Sequence, residues 1–471
     1  MRPSLVPRIA WFTPLPPVTS GVSQYNVELL PKLAAIFAID VFVAEPRQLA
    51  PAGLGVDVFS AHDFVWKHAR QPYDLVVYQL GNAPCHDYMW AYLVRYPGLV
   101  VLHDGQLHHA RARSLLEQQR ADDYRTEFHF NHPDRNADLA ELGIAGLLGS
   151  LTYLWPMRRV VIESARMVVV HNQWLAEQIA EEQPSALVHT VEMGVPAPPV
   201  TAEARAEIRT RHGIQADALL FVAFGEVTPE KRIPQALRAL ASIRGTVPHA
   251  HLLLAGNPVG HYDARAEAGA LGLAEHVTIA GFVPEGDAPA YLASADVCVC
   301  LRWPTSRETS AAWLRCLAAG KATITTDLAH LVDIPTLDPR SWTVLHAASA
   351  TDEPTETTPV EAAAVSIDIL DEDHSLRLAM RRLATDARLR AALGEEAKRL
   401  WAARFSLEQM AGRYADVLHA ACDVPLPDAP PKDLPPPHFV TDGTEFATRQ
   451  LRQMGLPESR IADIWRSVGG C

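Results

Sequence analysis

Apolar residues along this chain come in short uninterrupted blocks, each closed by a polar turn and followed by a stretch of helical character. Residues 8–12, 39–43, 74–78, 99–102, 166–170 and 188–193 make one series, and residues 219–224, 251–256, 277–280, 295–301 and 322–325 a second. Blocks this short with no polar alternation predict strands buried on both faces, as in parallel sheets. Helices are predicted between them at 22–35, 88–95, 202–212, 234–243 and 288–293, and a final amphipathic helix at 407–421. Strand and helix alternate throughout, so the fold class is α/β with two Rossmann-like domains, and Pro196-Ala-Pro-Pro199 marks the boundary. The expected units are residues 1–197, residues 198–404, a crossover segment at 405–422, and a Pro-rich linker with a helical tail at 423–471.

The stretch with most chemistry is 301–326, LRWPTSRETSAAWLRCLAAGKATITT. It reads as strand, polar turn, helix, strand, with its polar residues where the strand ends and the helix begins. Ligands of open α/β sheets bind there, and a helix's first turn offers free N–H groups to phosphate. Glu308, an anion, suits hydroxyl groups instead. A carboxylate for hydroxyls beside amides for phosphate points to a sugar nucleotide. The plainer alternative is that Glu308, Thr309 and Ser310 only cap the helix.

Similar strand ends recur elsewhere. Ser20 and Gly21 open the first predicted helix after a stiff Pro-rich loop, a phosphate-loop arrangement that is neither GxGxxG nor a Walker loop. His103-Asp104-Gly105 closes the 99–102 strand, where an imidazole could meet a hydroxyl. Gly225 to Arg232 follows the first strand of the second series, and Lys231 and Arg232 at a helix mouth suit a diphosphate, or else form a solvated surface pair. Residues 142–155 form an uncharged run too short to span a bilayer, read as a core or lid helix. Asp371-Glu-Asp373 reads as a helix start.

At 471 residues and 48% hydrophobic composition the chain fills more than one core. A formal net charge of −13 argues against nucleic acid as a partner. The six cysteines have no metal-ligand spacing, and with no signal peptide recognisable at the start the expected location is cytoplasmic. Aromatic and basic residues beside the 142–155 run leave peripheral contact with the inner membrane face as an option.

Taken together, these features resemble the retaining glycosyltransferases of GT-B fold, family 4 type, over roughly residues 8–421. The loop PLPPVTSGVSQY at 14–25 is similar to the family's amino-terminal donor loop. The resemblance implies His103 near the transferred sugar and Gly225, Lys231 and Arg232 on the phosphates. It also implies that Phe282 and Val283 frame the base. Two departures stand out: Glu226 occupies the place of the family's first Arg, and Arg315 occupies the second Glu of the family's E-x7-E element. The pattern is closer to a subgroup with a Glu-Thr-Ser turn, so Glu308 is expected on the sugar and Thr309 and Ser310 on the phosphate. Arg315 is expected to meet phosphate or brace Glu308.

The implied activity is transfer of a sugar from a nucleotide-diphosphate donor, such as a GDP- or UDP-sugar, to a hydroxyl of a glycan, lipid-linked or small-molecule acceptor, with retention. His103, Glu308 and Lys231 are the expected catalytic residues. No cofactor or metal is called for, because protein cations hold the phosphates. The alternatives are a non-catalytic sugar-nucleotide-binding partner protein, or a phosphorylase or epimerase on the same fold.

Overall fold

The computed structural model describes residues 6–45, 53–345, 361–426, 435–440 and 444–468. Most of the expected Pro-rich linker, and Gly443 at the start of the tail, lie outside them.

Two sheets carry the molecule. The first contains β1 (Arg8–Phe12), β2 (Ala38–Val43), β3 (Asp57–Ser60), β4 (Leu75–Leu80), β5 (Leu99–Leu102), β6 (Met167–Val170) and β7 (Val188–Thr190). Its order is β3-β2-β1-β4-β5-β6-β7, all parallel. The second contains β8 (Leu219–Phe224), β9 (Ala250–Ala255), β10 (Val277–Ile279), β11 (Val297–Cys300), β12 (Ala322–Thr326), β13 (Thr336–Leu337), β14 (Val344–Leu345) and β15 (Ala364–Ile367). Its order is β10-β9-β8-β11-β12-β15-β13-β14, parallel except for the β13–β14 pair. In each sheet the strand order reverses beside the first strand, and the carboxyl ends there face a common cleft.

The run at 142–155 is not one helix. A helix at Asp138–Ile144 stops, and a 3₁₀ segment at Gly149–Leu154 follows. Gly146 and Gly149 adopt φ of +71° and +50°, which breaks the helical path. Leu147, Leu151 and Leu154 are exposed. The tail folds as two helices, Thr444–Gln453 and Glu458–Val468, and a short helix at Pro437–Val440 seats Phe439 against Trp90 and Arg111.

The chain returns to the first sheet through the Leu407–Asp423 helix, whose Met410, Tyr414, Leu418 and Ala421 are buried in the same core as Trp11, Leu29 and Leu33. Where it crosses, Val195 N–H donates to Phe405 O at 2.9 Å and Trp401 Nε1 donates to Val195 O at 3.0 Å. Gly194 is the pinch point: a β-carbon there would stand 2.3 Å from Ser406 O. That neighbour is backbone and cannot swing aside. Gly194→Ala is therefore expected to lower stability by about 1–3 kcal/mol, the usual cost of overpacking, read as a lower urea midpoint. An unchanged midpoint would show that the crossing is looser than its contacts.

Candidate active site

The phosphate end of the cleft is built on β8. Gly225 follows it at φ +92°, and a β-carbon there would lie 2.5 Å from Lys231 Nζ, so glycine makes the room in which the lysine lies. Nζ donates to Phe224 O at 2.8 Å. Burial, followed by the charge of Arg302, pulls Lys231 down to about 8.

Arg232, its neighbour in sequence, goes elsewhere. Its backbone is left-handed (φ +57°), so successive side chains diverge, and its guanidinium is bound to both carboxylate oxygens of Glu372, with Nε–Oε1 at 2.7 Å. The expected cation pair is thus one cleft residue and one structural residue.

The second cleft cation is Arg302, just past β11. It lines the same pocket as Lys231, Thr305, Glu308 and Ser310. Arg302 is ion-paired with Glu308 Oε1, and Thr305 Oγ1 donates to Glu308 Oε2 at 2.9 Å. Ser310 Oγ accepts from Trp313 N–H at 3.3 Å and caps the Ala311–Ala318 helix. Ser310 is therefore both cap and pocket wall.

The turn at 304–310 reaches across the cleft. Gly105 N–H donates to Ser306 O at 2.7 Å, Asn172 Nδ2 donates to Arg307 O at 3.2 Å, and Thr309 Oγ1 donates to His171 O at 3.4 Å. The Arg307 guanidinium lies 4.3 Å from the centre of the Trp174 ring. Residues just beyond β5 and β6 thus grip one loop of the second sheet, and the lobes are closed. The free space in the pocket is about 40 Å³, far below the roughly 300–1,000 Å³ of ligand sites.

Asp104 sits at the meeting point. Its Oδ2 accepts from Asn82 N–H at 2.8 Å, yet burial and then the charge of Glu308 push it up to about 6. Tyr153, from the broken 142–155 run, is raised by burial and then by the charge of Glu308.

His103 is turned inward, and its protons can be assigned. Val191 O can only accept, so His171 Nδ1, 2.8 Å away, carries a hydrogen. Burial holds His171 neutral at about 4, and its Nε2 lies 3.3 Å from His103 Nδ1. His103 is also held neutral by burial, and its Nε2 donates to Gln79 Oε1 2.7 Å away, which can only accept. Beyond Gln79 lies Tyr414, whose hydroxyl accepts from that of Tyr25 at 2.5 Å. His103 is 7% exposed, and both of its nitrogens face protein groups rather than the cleft.

The remaining candidates divide. Ser20 Oγ accepts from Ser23 N–H at 3.0 Å and caps the Gly21–Leu33 helix. Phe282 is 58% exposed, and neither it nor Val283 lines the pocket. Arg315 neither braces Glu308 nor lines that pocket; it pairs with Glu28 at 2.8 Å and Glu285 at 3.0 Å. It ties the first helix of one lobe to the other lobe. Sequence reasoning missed Arg302, Asp104, Arg307 and Gln79. Asp104, adjacent to His103, and Arg307, adjacent to Glu308, lay beside marked residues.

Residues 204–334 match the family described as Glycosyl transferases group 1. A stretch of 95 residues, 20% of this chain, is 34% identical to a GDP-mannose-dependent alpha-(1-6)-phosphatidylinositol monomannoside mannosyltransferase of Mycolicibacterium smegmatis, and spans 25% of that protein's length. The whole fold is similar to sucrose-phosphate synthase from Thermosynechococcus elongatus (TM-score 0.59, 16% identity, 88% of this chain and 98% of that one). It is similar also to Anabaena HepE solved with UDP and glucose (TM-score 0.58, 15% identity, 88% and 99%). Among the described residues no helix is long and apolar enough to cross a membrane. Residues 204–334 thus match a glycosyltransferase group 1 domain, and they lie within the two-sheet GT-B fold that 88% of the chain shares with these structures.

Proposed function

We propose that this protein transfers a sugar from a nucleoside-diphosphate donor to an acceptor hydroxyl, with retention of the anomeric configuration. The observation that supports this best is the shared pocket of Lys231, Arg302, Glu308 and Ser310, closed by the ends of the opposite sheet. Lys231 offsets charge as the diphosphate departs, and Glu308 holds hydroxyls of the transferred sugar. Closure excludes water and so favours transfer over hydrolysis. In this reading the departing phosphate takes the acceptor's proton. Asp104, poised near pH 6 beside Glu308, orients the acceptor hydroxyl, and His103 shapes the wall without exchanging a proton. The reading needs no metal for the phosphates. The donor is a GDP- or UDP-sugar, in keeping with the GDP-mannose-dependent relative and the UDP-bound structural neighbour. The exposed leucines at 147, 151 and 154 favour a lipid-linked acceptor met at the cytoplasmic membrane face.

The test is a melting-temperature series with UDP, GDP and their sugars. One nucleotide diphosphate is expected to raise the melting temperature, since a ligand bound only by the native state stabilises it. The anomer of the product is then read by NMR. No shift with any nucleotide would count against the assignment, and an inverted product against the retaining route.

A further inference from the structure

The loop after β8 brings only one cation to the pocket. The residue after Gly225 is the exposed acid Glu226, and Arg232 is held by Glu372. A diphosphate carries more than one negative charge, so Lys231 alone leaves it undercompensated. Arg302 lies opposite, on a loop from a different strand. Its backbone is pinned: Arg302 N–H donates to Thr326 Oγ1 at 3.1 Å, and Thr326 is fully buried at the end of β12. The next residue fastens the two loops together, Trp303 N–H donating to Glu230 O at 2.8 Å. Lys231 and Arg302 are therefore held in a fixed relation by backbone contacts. The Arg302 side chain remains 38% exposed, while its partner Glu308 is 14% exposed.

Resting on the donor-transfer reading above, we propose that Arg302 is the second phosphate-binding cation, and that Glu308 holds it in place only while the site is empty. The donor's phosphate displaces Glu308 from Arg302, and the freed carboxylate turns to the sugar hydroxyls. Planar guanidinium and phosphate oxygens match as a two-pronged pair, a better partner than the unaligned contact with Glu308. No bond is made or broken in this exchange. It couples phosphate binding to sugar binding, because Glu308 cannot serve both partners at once. A nucleoside monophosphate, lacking the outer phosphate, would leave the Arg302–Glu308 pair intact.

Calorimetric titration tests this with the nucleotide diphosphate, UDP or GDP, that wild-type protein binds. Arg302→Gln is expected to weaken diphosphate binding about 10- to 100-fold, with the monophosphate affected less than threefold and the circular-dichroism melt unchanged. Arg302→Lys recovers part of the loss. Glu308→Gln is expected to tighten diphosphate binding several-fold while slowing sugar transfer, a split that a merely structural pair would not give. Wild-type diphosphate affinity in Arg302→Gln, or weaker binding in Glu308→Gln, overturns the proposal. Failure of wild-type protein to bind either diphosphate overturns the donor-transfer reading itself.

Discussion

Lys231→Met is expected to lower sugar transfer by roughly 10²–10³-fold, the usual loss on removing one group that meets developing charge, and at the same time to raise the melting temperature. The two effects share a cause. Nζ sits against Phe224 O in a closed cleft, and burial pulls it from 10.5 to about 8. A base whose folded value is depressed withholds its stabilising share below that value. The share is complete only above pH 10.5 and is gone once pH has fallen through 8. At pH 7.5 the charged lysine thus costs up to about 3 kcal/mol, at 1.36 kcal/mol per pH unit, with water in the cleft reducing the figure. Methionine fills the same volume without the charge. The measurement is kcat/KM for the donor beside a thermal melt at pH 7.5. A variant that transfers at the wild-type rate, or melts below wild type, would make Lys231 structural. Wild-type donor KM should also rise above pH 8, as the empty site loses its cation.

Much of the fold could be read from the chain because β1, β4 to β6, β8 and β11 are almost wholly apolar runs, and only a parallel sheet covered on both faces buries such runs. The β11–helix–β12 unit was visible for the same reason. β13 and β14 are two residues each, too short to leave a pattern. The 142–155 run misled because its apolar count is that of a buried helix, whereas its glycines set the path. In the cleft, Lys231 could be read and Arg232 could not be told from it. Adjacency in sequence says nothing about direction once a left-handed residue intervenes. Arg302 is a lone arginine in a loop, and only the β12 and β8 contacts reveal that it faces Lys231. His103 marked the right strand end, but its tautomer depends on Gln79.

Buried histidines carry the second large effect: a steep loss of stability between pH 6.5 and pH 5, before most carboxylates titrate. His86, His108, His171 and His330 are each at most 6% exposed and are each lowered from 6.5 to about 4 by burial. A depressed base stabilises the fold fully above 6.5 and loses that share as pH falls toward 4. For one such residue the loss at pH 5 is about 2 kcal/mol relative to full stability. Asp104 works in the opposite sense: raised from 3.8 to about 6, it favours the fold as acid is added and returns about 1 kcal/mol at pH 5. Four histidines outweigh it, and their sum reaches the scale of a domain's net stability, about 5–15 kcal/mol. Urea unfolding at pH 7.5, 6.0 and 5.0 should show the decline. His171→Asn supplies the control: its amide nitrogen can still donate to Val191 O, while the contact with His103 Nδ1 is lost. The variant should be less stable at pH 7.5 by about 1–3 kcal/mol, yet lose less on acidification, by about one proton in the slope. Stability constant within 1 kcal/mol from pH 7.5 to 5.0 would mean that these imidazoles reach water, and with it would go the assignment of His103 as an internal, proton-fixed wall of the cleft.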